Sequence, residues 1–296
     1  FEATELIIKK GVVKGIRGYH NNHEMTVEAD VVVIADGAHS MLARQLNIYI
    51  EDPRYVFYGA RGYFEDIEGM STKSIELFMN HEIFFPTGYM WVFPQGGKRA
   101  NVGVFITEEA LRKSGMKLED FFDWWRDNTK LGHERMQHAR LISKIQGWRL
   151  PTSPEIGKNY TSGALLVGDA CNSIDCAYGG GYVQAQHAGR IAGQVLADAL
   201  KIGDVSEEAL SAFHVRVNNE VNPISRVWTS MRDLISYTPE DINNFTAYGR
   251  SIPGYPKVDY SLALAGYYKD KLGVDLNDVM ACGRDAYRDK IKEGVV

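Results

Sequence analysis

The sequence predicts an α/β fold, α+β overall, and three observations carry that expectation. Val31-Val32-Val33-Ile34-Ala35 is a continuous β-branched run ending in Asp36-Gly37, as expected of a strand buried on both faces in a helix-covered parallel sheet. From residue 55 to 107 the texture changes to aromatic-rich alternation broken by turn residues, which reads as an antiparallel sheet. At Gly163 the parallel-sheet texture returns: Ala164-Leu165-Leu166-Val167, then Gly168-Asp169, then Gly179-Gly180-Gly181 opening a long helix. The chain therefore divides into residues 1–50 with 160–202, an inserted block at 51–159, and a mostly helical region at 203–296 interrupted around Pro253-Gly254-Tyr255-Pro256.

The elements follow in order. Residues 6–8 and 12–16 are short apolar strands, His20-Asn21-Asn22-His23 is a hairpin tip, and Thr26-Val27-Glu28-Ala29 is the returning strand. After Asp36-Gly37-Ala38 a helix is predicted over 40–46 with Ser40 as its N-cap. Strands are expected at 55–64, 74–80, 89–93 and 101–106, separated by Pro86-Thr87-Gly88 and Gln95-Gly96-Gly97-Lys98-Arg99. Leu118, Phe121, Phe122 and Trp125, three and four apart, predict a helix. In the helix that runs to about residue 200, Gly181, Ala185, Ala188, Gly189, Ala192 and Gly193 are expected to crowd one side and admit a strand or ligand closely.

Composition excludes several classes. The chain has 296 residues, 45% hydrophobic and 24% charged, close to the globular average and unlike a disordered, collagenous or disulfide-rich chain. A net charge of −5 argues against a general nucleic-acid binder. No apolar run approaches the roughly 18 residues of a spanning helix, while peripheral membrane contact stays open. Three cysteines, Cys171, Cys176 and Cys282, give no disulfide framework and suit a reducing compartment, so a cytoplasmic location is expected.

Three constellations could carry chemistry. Gly168, Asp169 and Ala170 lead from a strand to the glycines 179–181 and a helix N-terminus, where open N–H groups suit an anion or an electron-rich ring and Asp169 could accept from a ribose or ribityl hydroxyl. A tight turn with Asp169 as a local cap reads equally well. Asp36-Gly37 with Ser40 and Arg44 also follows a buried strand, and ligands of open α/β sheets bind beyond such ends; a structural cap and a solvated helix face are the plainer alternatives. Alternation puts Tyr89, Trp91 and Phe93 on one strand face, where they either fill a core, the plainer reading, or wall an apolar channel. His20 with His23 and His133 with His138 lack further ligands at matching spacing, so no metal site is expected, and Asp123, Asp127 and Glu134 read as a solvated helix face.

Taken in order, Asp36-Gly37 with Ser40 and Arg44, Gly88-Tyr89-Met90-Trp91-Val92-Phe93-Pro94 with Asn101-Val102-Gly103, and Val167-Gly168-Asp169-Ala170 with Gly179-Gly180-Gly181 resemble the geranylgeranyl reductase family of FAD-dependent oxidoreductases. The resemblance covers about residues 3–200, and Arg61-Gly62-Tyr63-Phe64 resembles the strand that opens that family's substrate domain. It implies an incomplete Rossmann-like FAD-binding domain (1–50 and 160–202) with an inserted antiparallel-sheet substrate-binding domain (51–159) and a helical carboxyl-terminal region. It further implies that Gly168, Asp169, Ala170 and Gly179 to Gly181 contact FAD, supported by Asp36, Gly37 and Arg44, while Tyr89, Trp91 and Phe93, with Arg61 and Tyr63, line the substrate side. The implied reaction reduces carbon-carbon double bonds of a polyprenyl (geranylgeranyl) lipid, with hydride from reduced flavin, a proton from an acid or water, and NAD(P)H or ferredoxin as electron donor.

The sequence departs from the family pattern twice. Where the family usually has a proline before the glycine loop, this chain reads Ile174-Asp175-Cys176-Ala177-Tyr178, making Cys176 a candidate proton donor, with a buried small hydrophobe as the favoured alternative. The family's opening βαβ unit with Gly-x-Gly-x-x-Gly has no counterpart, since Gly11, Gly15 and Gly18 are spaced differently. The start on Phe1, already strand-like by Thr4-Glu5-Leu6-Ile7-Ile8, adds to the expectation that a nucleotide-binding segment lies upstream or on a separate chain. The alternatives are a flavin monooxygenase or halogenase on the same scaffold, or a non-catalytic half that needs a separate FAD-binding partner.

Overall fold

The computed structural model describes residues 1–48, 51–84, 88–176, 179–221 and 269–270; most of the helical region expected at 203–296 lies outside the described residues. Glu2–Lys9 (β1), Val12–His20 (β2) and His23–Glu28 (β3) form an antiparallel sheet in that order. Each hairpin turns through two left-handed residues, Lys10-Gly11 and Asn21-Asn22, whose twist matches that of the flanking strands. Val32–Ile34 (β4) leads through Asp36-Gly37 to a short helix, Met41–Gln45 (α1). Ser40 caps it as expected, its Oγ accepting the Ala43 N–H at 2.8 Å.

The inserted block follows as Val56–Glu65 (β5), Glu76–Phe78 (β6), His81–Phe84 (α2), Gly88–Pro94 (β7), Ala100–Thr107 (β8), Glu108–Ser114 (α3), Asp120–Asn128 (α4), Lys130–Met136 (α5), Arg140–Leu141 (β9) and Gln146–Pro151 (β10). The sheet order is β10-β5-β8-β7-β6, antiparallel throughout, with β9 on the end of β5. Strand β10 had no signature in the sequence: its first residues are polar, glycine or exposed, and pairing with the buried β5 makes it a strand. One sheet face packs Ala60, Phe64, Met90, Val92, Val102, Val104 and Ile106 beneath Phe121, Phe122 and Trp125 of α4.

Tyr160–Thr161 (β11) and Ala164–Leu166 (β12) join β4 in a second sheet of order β11-β12-β4, with β12 and β4 parallel. Tyr182–Ile202 (α6) and Glu207–Glu220 (α7) complete this part, and Leu6, Val13, Ile34, Leu165, Ile191, Val195, Leu210 and Phe213 share its core.

Two expectations fail here. Val33 is 43% exposed rather than buried: side chains alternate along β4, and the cover that reaches its register partner Leu165 does not extend to this edge strand. Gly189 and Gly193 are exposed, with nothing near where a Cβ would sit, because the helical period turns them away from the buried side formed by Ala188, Ile191, Ala192, Val195 and Ala199. Asp123 and Asp127 form exposed pairs with Arg126, in keeping with a solvated face.

Buried Asn218 ties α7 to the chain entering β11. Its Oδ1 accepts the Ile156 N–H and its Nδ2 donates to the Ile156 carbonyl, both at 2.9 Å. Asn218→Leu leaves both backbone groups unpaired, and urea denaturation is expected to show a loss of about 2–4 kcal/mol.

Candidate cofactor and substrate site

The parallel pair β4–β12 brings two predicted segments together. The Val167 N–H donates to the Ile34 carbonyl at 3.0 Å, so Asp36-Gly37 and Gly168-Asp169 leave adjacent strands at the same end. Asp36 has a structural task as well: its Oδ2 accepts the Leu42 N–H at 3.5 Å at the start of α1. Arg44 is exposed in the last turn of α1.

Gly168–Cys171 is a 3-10 turn, entered at φ 63 by Gly168, whose Cβ would meet the Ala185 methyl at 3.2 Å. Only glycine combines that dihedral with that approach. Ala170 is fully buried beneath the turn. The loop then closes on itself: Asp175 N–H donates to the Gly180 carbonyl at 2.8 Å and Gly179 N–H to the Asp175 carbonyl at 2.9 Å. Gly181 begins α6 without a side-chain cap. The Asp169 carboxylate lies there, Oδ1 being 3.4 Å from where a Gly181 Cβ would sit.

Among the described residues the Asp169 carboxylate has no hydrogen-bonding or ion-pair partner, although its backbone carbonyl accepts the Asn172 N–H at 3.1 Å, and burial alone raises its pKa above the ordinary carboxylate range. Cys171, two residues on, is pushed up to about 12, chiefly by burial and then by the Asp169 charge, so its thiol stays protonated.

The face of the larger sheet opposite α4 is aromatic. Phe57, Arg61 and Tyr63 of β5, Phe105 and Asn101 of β8, and Tyr89, Trp91 and Phe93 of β7 share it by strand alternation and register. Phe57 and Phe105 stack at 4.4 Å, Tyr89 meets Phe105 at 5.4 Å, and Trp91 stacks with Phe93 at 5.7 Å. The Trp91 indole lies over Gly103, where a Cβ would be 2.1 Å from Cζ2, and its Nε1–H donates to Asn101 Oδ1 at 2.8 Å. Arg61 stacks on Tyr63 at 4.9 Å. The three aromatics of β7 therefore do not fill the helix-covered core, which takes Met90 and Val92 instead.

The glycine loop and the aromatic face meet. A Cβ on Gly179, itself at φ 74, would lie 2.9 Å from the Phe105 ring. Cys176, 1% exposed, packs in one cluster with Tyr55, Phe57 and Phe105, flanked by Tyr89, Trp91 and Leu150. His39, just past Asp36-Gly37, meets Trp148 of β10 edge-on at 4.7 Å. Phe57 and Phe105, central to this junction, were not singled out in the sequence; their membership in the same aromatic alternation was the available signal.

A family model described as the geranylgeranyl reductase catalytic domain matches residues 58–148, the aromatic sheet and its covering helices. A digeranylgeranylglycerophospholipid reductase of Methanothrix thermoacetophila is 33% identical over 244 residues, covering 81% of this chain and 59% of that protein. Over residues 58–148, then, the chain is similar to geranylgeranyl reductase catalytic domains. A second such reductase, from Methanocella arvoryzae, is 29% identical over 248 residues, or 83% of this chain and 60% of the relative. The chain thus spans about 60% of the length of these curated relatives. In fold, the chain is similar to a geranylgeranyl bacteriochlorophyll reductase-like structure from Thermoplasma acidophilum, with TM-score 0.79, 21% identity, and coverage of 94% of this chain and 68% of that one. It is also similar to a flavin-dependent brominase, with TM-score 0.72, 17% identity, and coverage of 98% and 69%.

Proposed function

We propose that this chain serves FAD-dependent reduction of carbon-carbon double bonds in a polyprenyl glycerophospholipid, the glycine loop receiving the flavin and the aromatic face receiving the hydrocarbon. The observation that carries this reading is their junction, with Gly179 against the Phe105 ring and Cys176 in the Phe57–Phe105 cluster. The residues present fit the cofactor. A partly buried carboxylate without a donor, Asp169, suits a ribityl hydroxyl, and Gly168, Gly179, Gly180 and Gly181 let backbone approach a flat ring and its phosphates. Ala170 shapes the turn from below, while Asp36, Gly37 and Arg44 stand at the neighbouring strand end.

Among the described residues no Gly-x-Gly-x-x-Gly turn occurs, so the adenosine end would be held outside them, on the same polypeptide or a separate one. When bound and reduced, by NAD(P)H or a ferredoxin, FAD supplies the hydride. The chain's own task is to lay the alkene on Tyr89, Trp91 and Phe93, with Arg61 and Tyr63 towards the polar end of the lipid, and to keep water from the junction. Cys176 is the candidate proton donor because its thiol packs against that aromatic face.

Anaerobic reduction of the flavin in the complete protein, followed by addition of a digeranylgeranyl glycerophospholipid, is expected to restore the oxidised flavin spectrum and saturate the lipid's double bonds. Flavin that stays reduced with every polyprenyl substrate sinks the reading. The likeness to a brominase motivates the second reading, an oxygen-using halogenase or hydroxylase, which oxygen-dependent product formation would reveal.

A further inference from the structure

The aromatic face does not stop at β7. Its outer neighbour β6 sets Leu77 opposite Trp91, and Ile75 and Met79 flank the strand two residues to either side of Leu77. Glu76 and Phe78, of opposite parity, turn to the covered face, where Glu76 accepts from Arg135 at 2.9 Å and Phe78 meets Trp125 at 4.9 Å. Leu77 thus lies on the aromatic side, and Ile75 and Met79 share its parity at the two ends of the strand; the three are 42, 63 and 49% exposed. From β5 towards β6 burial falls across this face: Phe57 and Phe105 are buried beside the glycine loop, Tyr89, Trp91 and Phe93 are half-buried, and the outer strip is open. Three large exposed aliphatics along one sheet edge, beside an aromatic surface, differ from the single exposed apolar residues common on proteins.

Polar residues bound the strip asymmetrically. Lys73 is exposed just before it, and Lys98 and Arg99, in the β7–β8 turn beyond Phe93, keep about two-thirds of their side chains in water while reaching Glu68 at 4.0 Å and Glu65 at 3.6 Å. Cations at one end of an apolar strip match the layering of a lipid surface, phosphate above hydrocarbon. The net charge of −5 offers no bulk attraction to an anionic membrane, so the apolar strip itself has to supply the contact.

Resting on the polyprenyl reading, we propose that Ile75, Leu77 and Met79 form the surface by which the protein touches a lipid bilayer, delivering a hydrocarbon chain onto the aromatic face without a passage through water. The complete protein is expected to float with phosphatidylcholine vesicles and to remain bound at about 0.5 M NaCl, since salt screens charge but not apolar burial. The combined Ile75→Ser, Leu77→Ser and Met79→Ser variant is expected to lower the vesicle partition coefficient at least about tenfold. Ile202→Ser, at an exposed position on α6, should float like the parent. Should the combined variant lose its cooperative unfolding transition, Leu77→Glu alone carries the test. Variants that float like the parent, a parent that does not float, or binding abolished by salt would overturn the proposal. Flotation involves no flavin chemistry, so the two readings fail separately: a floating protein that never reoxidises its flavin loses the reductase reading alone, and one that reduces detergent-dispersed lipid without floating loses the bilayer surface alone.

Discussion

Asp169→Ala is expected to weaken FAD binding about 10- to 100-fold, the loss of one charge-assisted hydrogen bond of roughly 1.5–3 kcal/mol. The carboxylate stands at the start of α6 without a donor among the described residues, and desolvation holds its pKa above the ordinary range. An acid raised by burial favours the folded apoprotein when protonated, so its contribution to stability declines as pH rises from the unfolded pKa of about 3.9 through the raised folded value. A hydroxyl donor from a ligand favours the ionised form instead. FAD affinity should therefore fall as pH drops through the raised pKa, and Asp169→Asn should flatten that dependence. The two roles open to Asp169 separate in the apoprotein. If the carboxylate merely caps the turn, Asp169→Ala lowers the melting temperature; if it awaits a ligand, the melting temperature holds or rises while flavin affinity falls. Flavin fluorescence titrations across pH, with thermal unfolding of the same samples, decide between them, and a binding constant within twofold of the parent would remove Asp169 from the cofactor site.

Gly103→Ala should have the largest structural effect. The new Cβ would stand 2.1 Å from Trp91 Cζ2 and 2.5 Å from the Ala60 carbonyl oxygen. The indole has to swing away, breaking its bond to Asn101, while the carbonyl is held by the β5–β8 ladder and cannot retreat. A cost of about 2–3 kcal/mol is expected from urea denaturation, with loss of the near-ultraviolet dichroism of packed aromatics. Polyprenyl binding should weaken with it, because the half-buried centre of the aromatic face is the part displaced. Adding Trp91→Leu to Gly103→Ala should recover part of the stability, since it relieves the indole clash and leaves the carbonyl clash. Additive effects of the two changes would show that the indole does not lie where the structure puts it.

Much of this fold was legible because its signals are local. The hairpin at Asn21-Asn22, the Ser40 cap and the buried run Ala164-Leu165-Leu166 each depend on residues within a few positions of one another. Strand β10 was not legible, since an edge strand of Gln146-Gly147-Trp148-Arg149 acquires its structure from partners 85 to 91 residues away in sequence. Gly189 and Gly193 misled because composition marks small residues without saying which side of a helix they occupy.

The site shows the same division. Alternation alone placed Tyr89, Trp91 and Phe93 on one face, and the glycines with Asp169 at the end of a buried strand, because period and turn chemistry are properties of consecutive residues. Whether those aromatics filled a core or stood open was beyond such rules. That was decided when α4 covered the Met90–Val92 side of the sheet and the glycine loop folded against Phe105 on the other, since which face is buried depends on what packs against it across long stretches of chain.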